Sequence, residues 1–389
     1  MSTTGATDID QHVFDCGPPL RLQRSLGLTK PGQERVASRA FLGAAIAWLP
    51  LAALAIAQSI VFSGTTAKSF FGDFAVHARY LIAMPALIVA EADCIPKLER
   101  IVRNFVDAGL IADSDMVRYQ YAVASTHRIL DSRYGDLVAP VIAYVIIVAT
   151  RFYVSPDLFP DWQRAGHSYY SLAGWWHVLI SLPLLLILFF GWLWRLALWA
   201  RFLFLMASLN LQLIPSHPDH VGGLKFVSSS LRGFHLISLG LGAVVAGAIA
   251  NRVVYHGAAL LSFKDLALGL SVFTVLLFAG PLTVFVRRLR QTKKRGVFEY
   301  GALANRLGRE FEAKWLSTPA EAGMLEAPDF SATTDLYSVS ANVYEMRDIP
   351  FSWKDLVGPI LPALLPIGAV ALLAIPLQVV IDSLFKLLV

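Results

Sequence analysis

Charge is scarce in this chain. Only 16% of its 389 residues are Asp, Glu, Lys or Arg, while 56% are hydrophobic, against about a quarter charged in an ordinary soluble domain. Cysteine is nearly absent, with Cys16 and Cys94 alone, so no disulfide framework is expected and the redox compartment goes unmarked. There is no HExxH, no CxxC and no second His/Cys cluster, which removes the familiar zinc spacings. The first 39 residues lack an apolar core ahead of a cleavage site, so a removable signal peptide is not expected. A net charge of +5 and a pI near 9.2 come without a basic face interleaved with stacking aromatics, so nucleic acid is not an expected partner.

Long apolar runs are what the chain has instead. Seven lie at about 40–62, 78–95, 137–154, 175–206, 234–250, 266–286 and 356–385. A bilayer core about 30 Å thick needs about 20 apolar residues per helix, and unpaired backbone groups are not tolerated in lipid. The stretch 357–385 has Asp382 as its sole ionisable residue, which no soluble core helix requires. The expected fold is an all-α polytopic membrane protein with seven transmembrane helices and the bilayer as its first partner. Four regions follow: a cytoplasmic segment 1–39, membrane helices one to four over 40–206 with a helical loop at 96–136, a loop at 207–233, and helices five to seven over 234–389 with a helical region at 287–354.

Lysine and arginine orient the spans. With the N-terminus inside, the inner segments hold 25 of the 33 basic residues and the outer ones six. Positive loops stay cytoplasmic, so the N-terminus is expected inside, the C-terminus outside, and the plasma (inner) membrane the location. Arg287-Arg288-Leu289-Arg290 and Lys293-Lys294-Arg295 read as stop-transfer signals in contact with anionic headgroups. Apolar residues at helical spacing in 97–131 and 297–316 predict amphipathic helices that continue spans two and six or lie on the membrane. The segment 317–334 reads as a loop, and the tryptophans near 192–199 as an interfacial belt beside snorkelling arginines.

A short internal match joins spans three and seven. Tyr134-Gly135-Asp136-Leu137-Val138-Ala139-Pro140 parallels Trp353-Lys354-Asp355-Leu356-Val357-Gly358-Pro359, and Pro85 in span two corresponds to Pro281 in span six. Spans 1–3 and 5–7 would then form a parallel repeat. The small residues Gly240 to Ala248 of span five favour close helix packing.

Three sets of residues are candidates for chemistry. His217, Asp219 and His220, in a Pro-Ser-His-Pro-Asp-His turn, offer imidazole and carboxylate for Zn, Mn or Fe, or equally a rigid turn in which Asp219 bonds the local backbone. Glu91 and Asp93 near the end of span two are ion- or proton-coupling candidates if they lie within the membrane, and ordinary polar residues if the span ends near 90. In span seven, Gln378 and Asp382 sit one helical turn apart on one face. Several copies around an axis would stack them into polar rings above a constriction of Leu372, Leu373 and Ile375, and a ring of Asp favours cations.

Seven spans with this orientation resemble insect odorant and gustatory receptors and their remote seven-helix channel relatives. The resemblance extends over the whole chain in topology and length, with long intracellular extensions of the middle spans. It implies a homotetramer whose seventh helix lines a pore for inorganic cations. The gustatory signature in that helix, Thr-Tyr followed by Gln-Phe, is not repeated here, since Gln378 precedes Val379. The leading expectation is a gated homo-oligomeric cation channel without enzymatic activity or cofactor. The alternatives are an ion- or proton-coupled secondary transporter built on the repeat, and a metal-binding protein or enzyme at the His217–His220 turn.

Overall fold

The computed structural model describes residues 13–14, 36–61, 64–153, 159–165, 169–316 and 328–374. Among these residues ten helices carry the architecture: α1 Val36–Val61, α2 Met84–Asp107, α3 Met116–Leu130, α4 Arg133–Tyr153, α5 Leu182–Ser208, α6 His235–His256, α7 Lys264–Ala279, α8 Val286–Trp315, α9 Pro328–Glu345 and α10 Trp353–Ala374. Short helices and one two-residue antiparallel pairing, Arg164–Ala165 with Tyr169–Tyr170, fill the connections.

This is an all-α integral membrane protein. Among the described residues, five helical stretches are long and apolar enough to cross a bilayer: Val36–Val61, Leu172–Ser208, His235–His256, Leu260–Trp315 and Trp353–Leu372. Their outward faces are apolar too. Phe41, Ile60, Leu268 and Leu276 are more than 60% exposed, and helices that are apolar all round belong in lipid. The expected third span is helical within α4, with a shorter apolar run at Asp136–Thr150. The expected second span is helical as well, through Ala78–Ala83 and α2, but Arg79, Glu91, Asp93 and Lys97 interrupt its apolar run.

Contacts define two ends of the bundle. At one end, Asp73 meets Asn251 and Trp162, and Tyr255 donates to the Gly72 carbonyl. At the other, basic end, the Gln212 amide donates to the Leu110 carbonyl, the Asn210 amide to Asp115, and the Arg347 amide to the His220 carbonyl. The predicted amphipathic stretch 97–131 continues the second apolar helix only to Asp107 and resumes as α3, whereas 297–316 lies wholly in α8. α2 runs unbroken to Asp107, and α8 follows α7 through a 3₁₀ segment, Gly280–Phe285, opened by Pro281. The chain expected to be a loop at 317–334 is helical from Pro328 onward. Proline suits a first helical position, where its missing N–H is not needed, and Phe330 packs on Phe311 and Trp315 at 4.9 and 5.1 Å.

α6 is central. A Cβ at Gly242 would lie 2.0 Å from the Ala363 carbonyl oxygen, so α6 and α10 touch backbone to backbone, as small residues permit. On its other side α6 packs against Phe74–His77, Ala78–Ala83 and α2. The two halves of the expected repeat do not pack alike. α6 and α10 share a long interface, whereas α1 and α4, their counterparts, share at most a slight one among the described residues. The sequence match at 134–142 and 353–361 marks two similar helix starts.

Candidate functional site

Helix α2 and the π-helical turn before it, Ala78–Ala83, carry polar side chains at both ends of the bundle. At the end opposite the basic one, Asp73 caps Phe74–His77. Its Oδ1 accepts from the Ala75 and Val76 amides, at 2.9 and 3.3 Å, and from Asn251 Nδ2 at 2.7 Å. Oδ2 accepts from Trp162 Nε1 at 2.8 Å. Asn251 returns a bond, its Oδ1 accepting from the Phe74 amide at 2.8 Å. Both Asp73 oxygens are therefore committed to structure. Trp48 Nε1 donates to His77 Nδ1 at 2.9 Å, which leaves Nε2–H facing the Phe71 carbonyl at 3.1 Å. An indole N–H only donates, so Nδ1 of His77 is the acceptor in this pair.

One turn further, the Tyr80 hydroxyl and His177 Nδ1 share a 2.9 Å hydrogen bond, both buried. Each lies in a π-helical segment, Ala78–Ala83 and His177–Ser181. Single π turns inside α-helices are uncommon and concentrate at functional sites. Here two of them, in different helices, are tied together. Above them opens a cavity of about 620 Å³, lined among others by Lys68, Asp73, Asp161, Arg164, Asn251 and Tyr255.

Toward the basic end lies the second polar group. Glu91 is 3% exposed and belongs inside the bundle. Arg39 Nη2 donates to its Oε2 at 2.5 Å, and Arg195 Nη1 to its Oε1 at 3.0 Å. The three residues come from α1, α2 and α5 and are all buried. Arg195 also lies over the Trp192 ring, 5.3 Å from its centroid, and Trp192 Nε1 donates to the Leu87 carbonyl. Arg195 thus points inward and does not snorkel, and Trp192 and Trp199 are core residues, not an interfacial belt. Arg201 bonds Ser125 and Thr126 of α3. Asp93 differs from Glu91: it is part-exposed, bonded to Lys97 Nζ at 2.6 Å, with His235 at 3.5 Å.

The turn holding His217 and His220 is built around Asp219. Its Oδ1 accepts from the Val221 and Gly223 amides at 2.9 and 3.1 Å, and Oδ2 from the Lys225 amide at 3.0 Å. His217 Nδ1 lies 2.8 Å from Oδ1. Partial burial pushes the Asp219 carboxyl upward, but these donors outweigh it and hold it below the usual carboxylate range. His220 has φ +56° and the two following glycines +66° and +95°, so the chain reverses sharply. His220 Nδ1 lies 3.7 Å from a Glu345 carboxylate oxygen. The three residues do not converge on one point, and no group of three or more His, Cys, Asp or Glu placed to hold a metal occurs among the described residues. The turn instead joins several elements: Arg347 donates to the His220 and Asp219 carbonyls, Arg295 to the Leu213 carbonyl, and Lys225 Nζ to Asp355.

Of the span-seven residues, Leu372 is 69% exposed at the end of α10, and Leu373 lies in the same helix. The Leu373 side chain and all of Ile375, Gln378 and Asp382 fall outside the described residues.

Comparison with protein-family models, with curated proteins and with solved structures gives no match.

Proposed function

We propose that this protein is an ion- or proton-coupled carrier with Glu91 as its coupling group. The supporting observation is the buried Arg39–Glu91–Arg195 cluster. A carboxylate within a membrane bundle is costly and by default functional. Here both of its oxygens accept from guanidinium groups of two other helices, so neutralising it by a proton or a bound cation weakens both contacts at once. Helices α1, α2 and α5 are then freed to shift relative to one another. The paired π turns at the other end of α2 supply local irregularity for such movement, and the 620 Å³ cavity is of small-solute size.

Seven membrane crossings, an inner N-terminus, an outer C-terminus and residence in the plasma (inner) membrane complete the reading. It rests on the excess of basic residues at one end of the bundle. In proteoliposomes loaded with a pH-sensitive dye, an imposed Na⁺ or K⁺ gradient should drive saturable proton movement. Glu91→Gln should abolish it. Movement that persists in Glu91→Gln would remove Glu91 as the coupling group.

The second reading is a homotetrameric cation channel lined by span seven. Favouring it is the apolar stripe Val357, Leu361, Leu365 and Leu372 on α10, each more than half exposed in the single chain and so available to a second copy. Planar bilayers separate the two. Unitary cation currents reduced by Asp382→Asn belong to the channel, and their absence beside a saturable dye signal belongs to the carrier.

A further inference from the structure

Where α5 ends and α8 begins, a cavity of about 420 Å³ has one apolar wall and one cationic floor. Phe204 and Val284 form the wall; Ser208, Arg287, Arg288 and Gln291 form the floor, and among the described residues no acidic one lines it. Arg288 is anchored there, with Nε donating to the Ala207 carbonyl at 3.0 Å and Nη2 to the Ser208 carbonyl at 3.1 Å. These bonds close the last turn of α5 and leave further guanidinium donors directed at the cavity. Three other basic residues nearby are occupied: Arg290 with Asp348, Lys293 with the Met346 carbonyl and Arg295 with the Leu213 carbonyl. Arg287 is exposed and makes no ion pair or side-chain hydrogen bond among the described residues.

Position explains the composition. The apolar stretch Leu172–Ser208 ends here, and Leu260–Trp315 turns from apolar to basic at Arg287. The cavity therefore lies at headgroup level, its wall toward the acyl region and its floor toward water. We propose that it binds the headgroup of an anionic phospholipid from the surrounding leaflet, with the phosphate on Arg287 and Arg288 and an acyl chain along Phe204 and Val284. Guanidinium groups suit phosphate oxygens through charge-assisted bonds, and basic pockets between membrane helices are suited to such headgroups. This assignment is independent of the transport reading.

Native mass spectrometry of the full chain in mild detergent, titrated with phosphatidylglycerol or phosphatidylcholine, tests it. Phosphatidylglycerol should bind preferentially. Arg287→Gln, at an exposed position that holds no fold contact, should weaken it about fivefold, and Arg287→Gln with Arg288→Gln about twenty-five-fold. Lys294→Gln lies two turns further along the same face and should change binding less than twofold. Equal losses at Lys294 and Arg287 would mean diffuse surface attraction and overturn the site. Glycerol phosphate binding as tightly as the lipid would identify a soluble phosphate and overturn the lipid assignment.

Discussion

Glu91 shows what single residues decide in this protein. Its two oxygens are divided between Arg39 and Arg195, so each arginine shares one carboxylate while the carboxylate has two partners. Removing Glu91 takes the carboxylate from two buried arginines at once, and removing Arg195 leaves Glu91 with Arg39. Glu91→Ala should cost about 3–5 kcal/mol, the usual penalty for breaking a buried pair, and Arg195→Ala less. Thermal unfolding followed by tryptophan fluorescence in detergent checks the order, and an equal or reversed order would show that the three do not act as one unit. Asp219 gives a pH signature. Its carboxyl lies below the ordinary range in the fold, so its stabilisation is complete above the unfolded value and fades as pH falls through the folded one. The wild type should lose stability on acidification below about pH 4, while Asp219→Asn starts less stable at neutral pH and shows a flatter profile. Sequence alone reached Asp219 as a turn-former, since Pro, Asp and paired Gly carry that chemistry locally. It did not reach Arg195, because an arginine among tryptophans reads alike whether it snorkels or is buried. Only the partner helix carrying Glu91 distinguishes the two.

At the scale of elements, the α6–α10 contact is the tightest constraint. Gly242 has no room for a Cβ against the Ala363 carbonyl, whereas Gly269 in α7 has nothing within 4 Å. Gly242→Ala should force the helices apart at a cost of about 1–3 kcal/mol, and Gly269→Ala should be neutral or slightly stabilising. Parallel thermal melts settle the comparison, and similar losses at both positions would mean that helix propensity outweighs the contact. Helix existence was readable in the apolar runs, because about 20 apolar residues admit one structure in lipid, but not at Pro328, where a polar Pro- and Ser-rich stretch read as loop. The π turns at 78–83 and 177–181 were not. Each segment runs into a proline two residues on, Pro85 and Pro183, which frees a backbone carbonyl without itself dictating a widened turn, and the π turns lie where Tyr80 and His177 meet across two helices. If that bond holds the turns in register, Tyr80→Phe should preserve the fold but speed amide hydrogen exchange in both segments. Unchanged exchange would show that packing alone maintains them.

For the whole molecule, orientation governs how every site connects to the cell. The basic end gathers Arg287 to Arg295, the Asp219 turn and the far ends of α2 and α5. Positive loops resist translocation, so this end should face the cytoplasm. The Arg39–Glu91–Arg195 cluster then lies toward the inner side, the 620 Å³ cavity opens outward, and the lipid pocket draws on the inner leaflet. A membrane-impermeant maleimide tests the arrangement on whole cells expressing single-cysteine variants, with Cys16 replaced and Cys94 left in the core, where it is buried. Ser317→Cys should react only after the membrane is opened, and Val389→Cys in intact cells. Reaction at 317 in intact cells would invert the molecule, turning the cavity to the cytoplasm and the cluster outward. A proton bound from outside would then reach Glu91 first, reversing the direction of the coupling proposed for it.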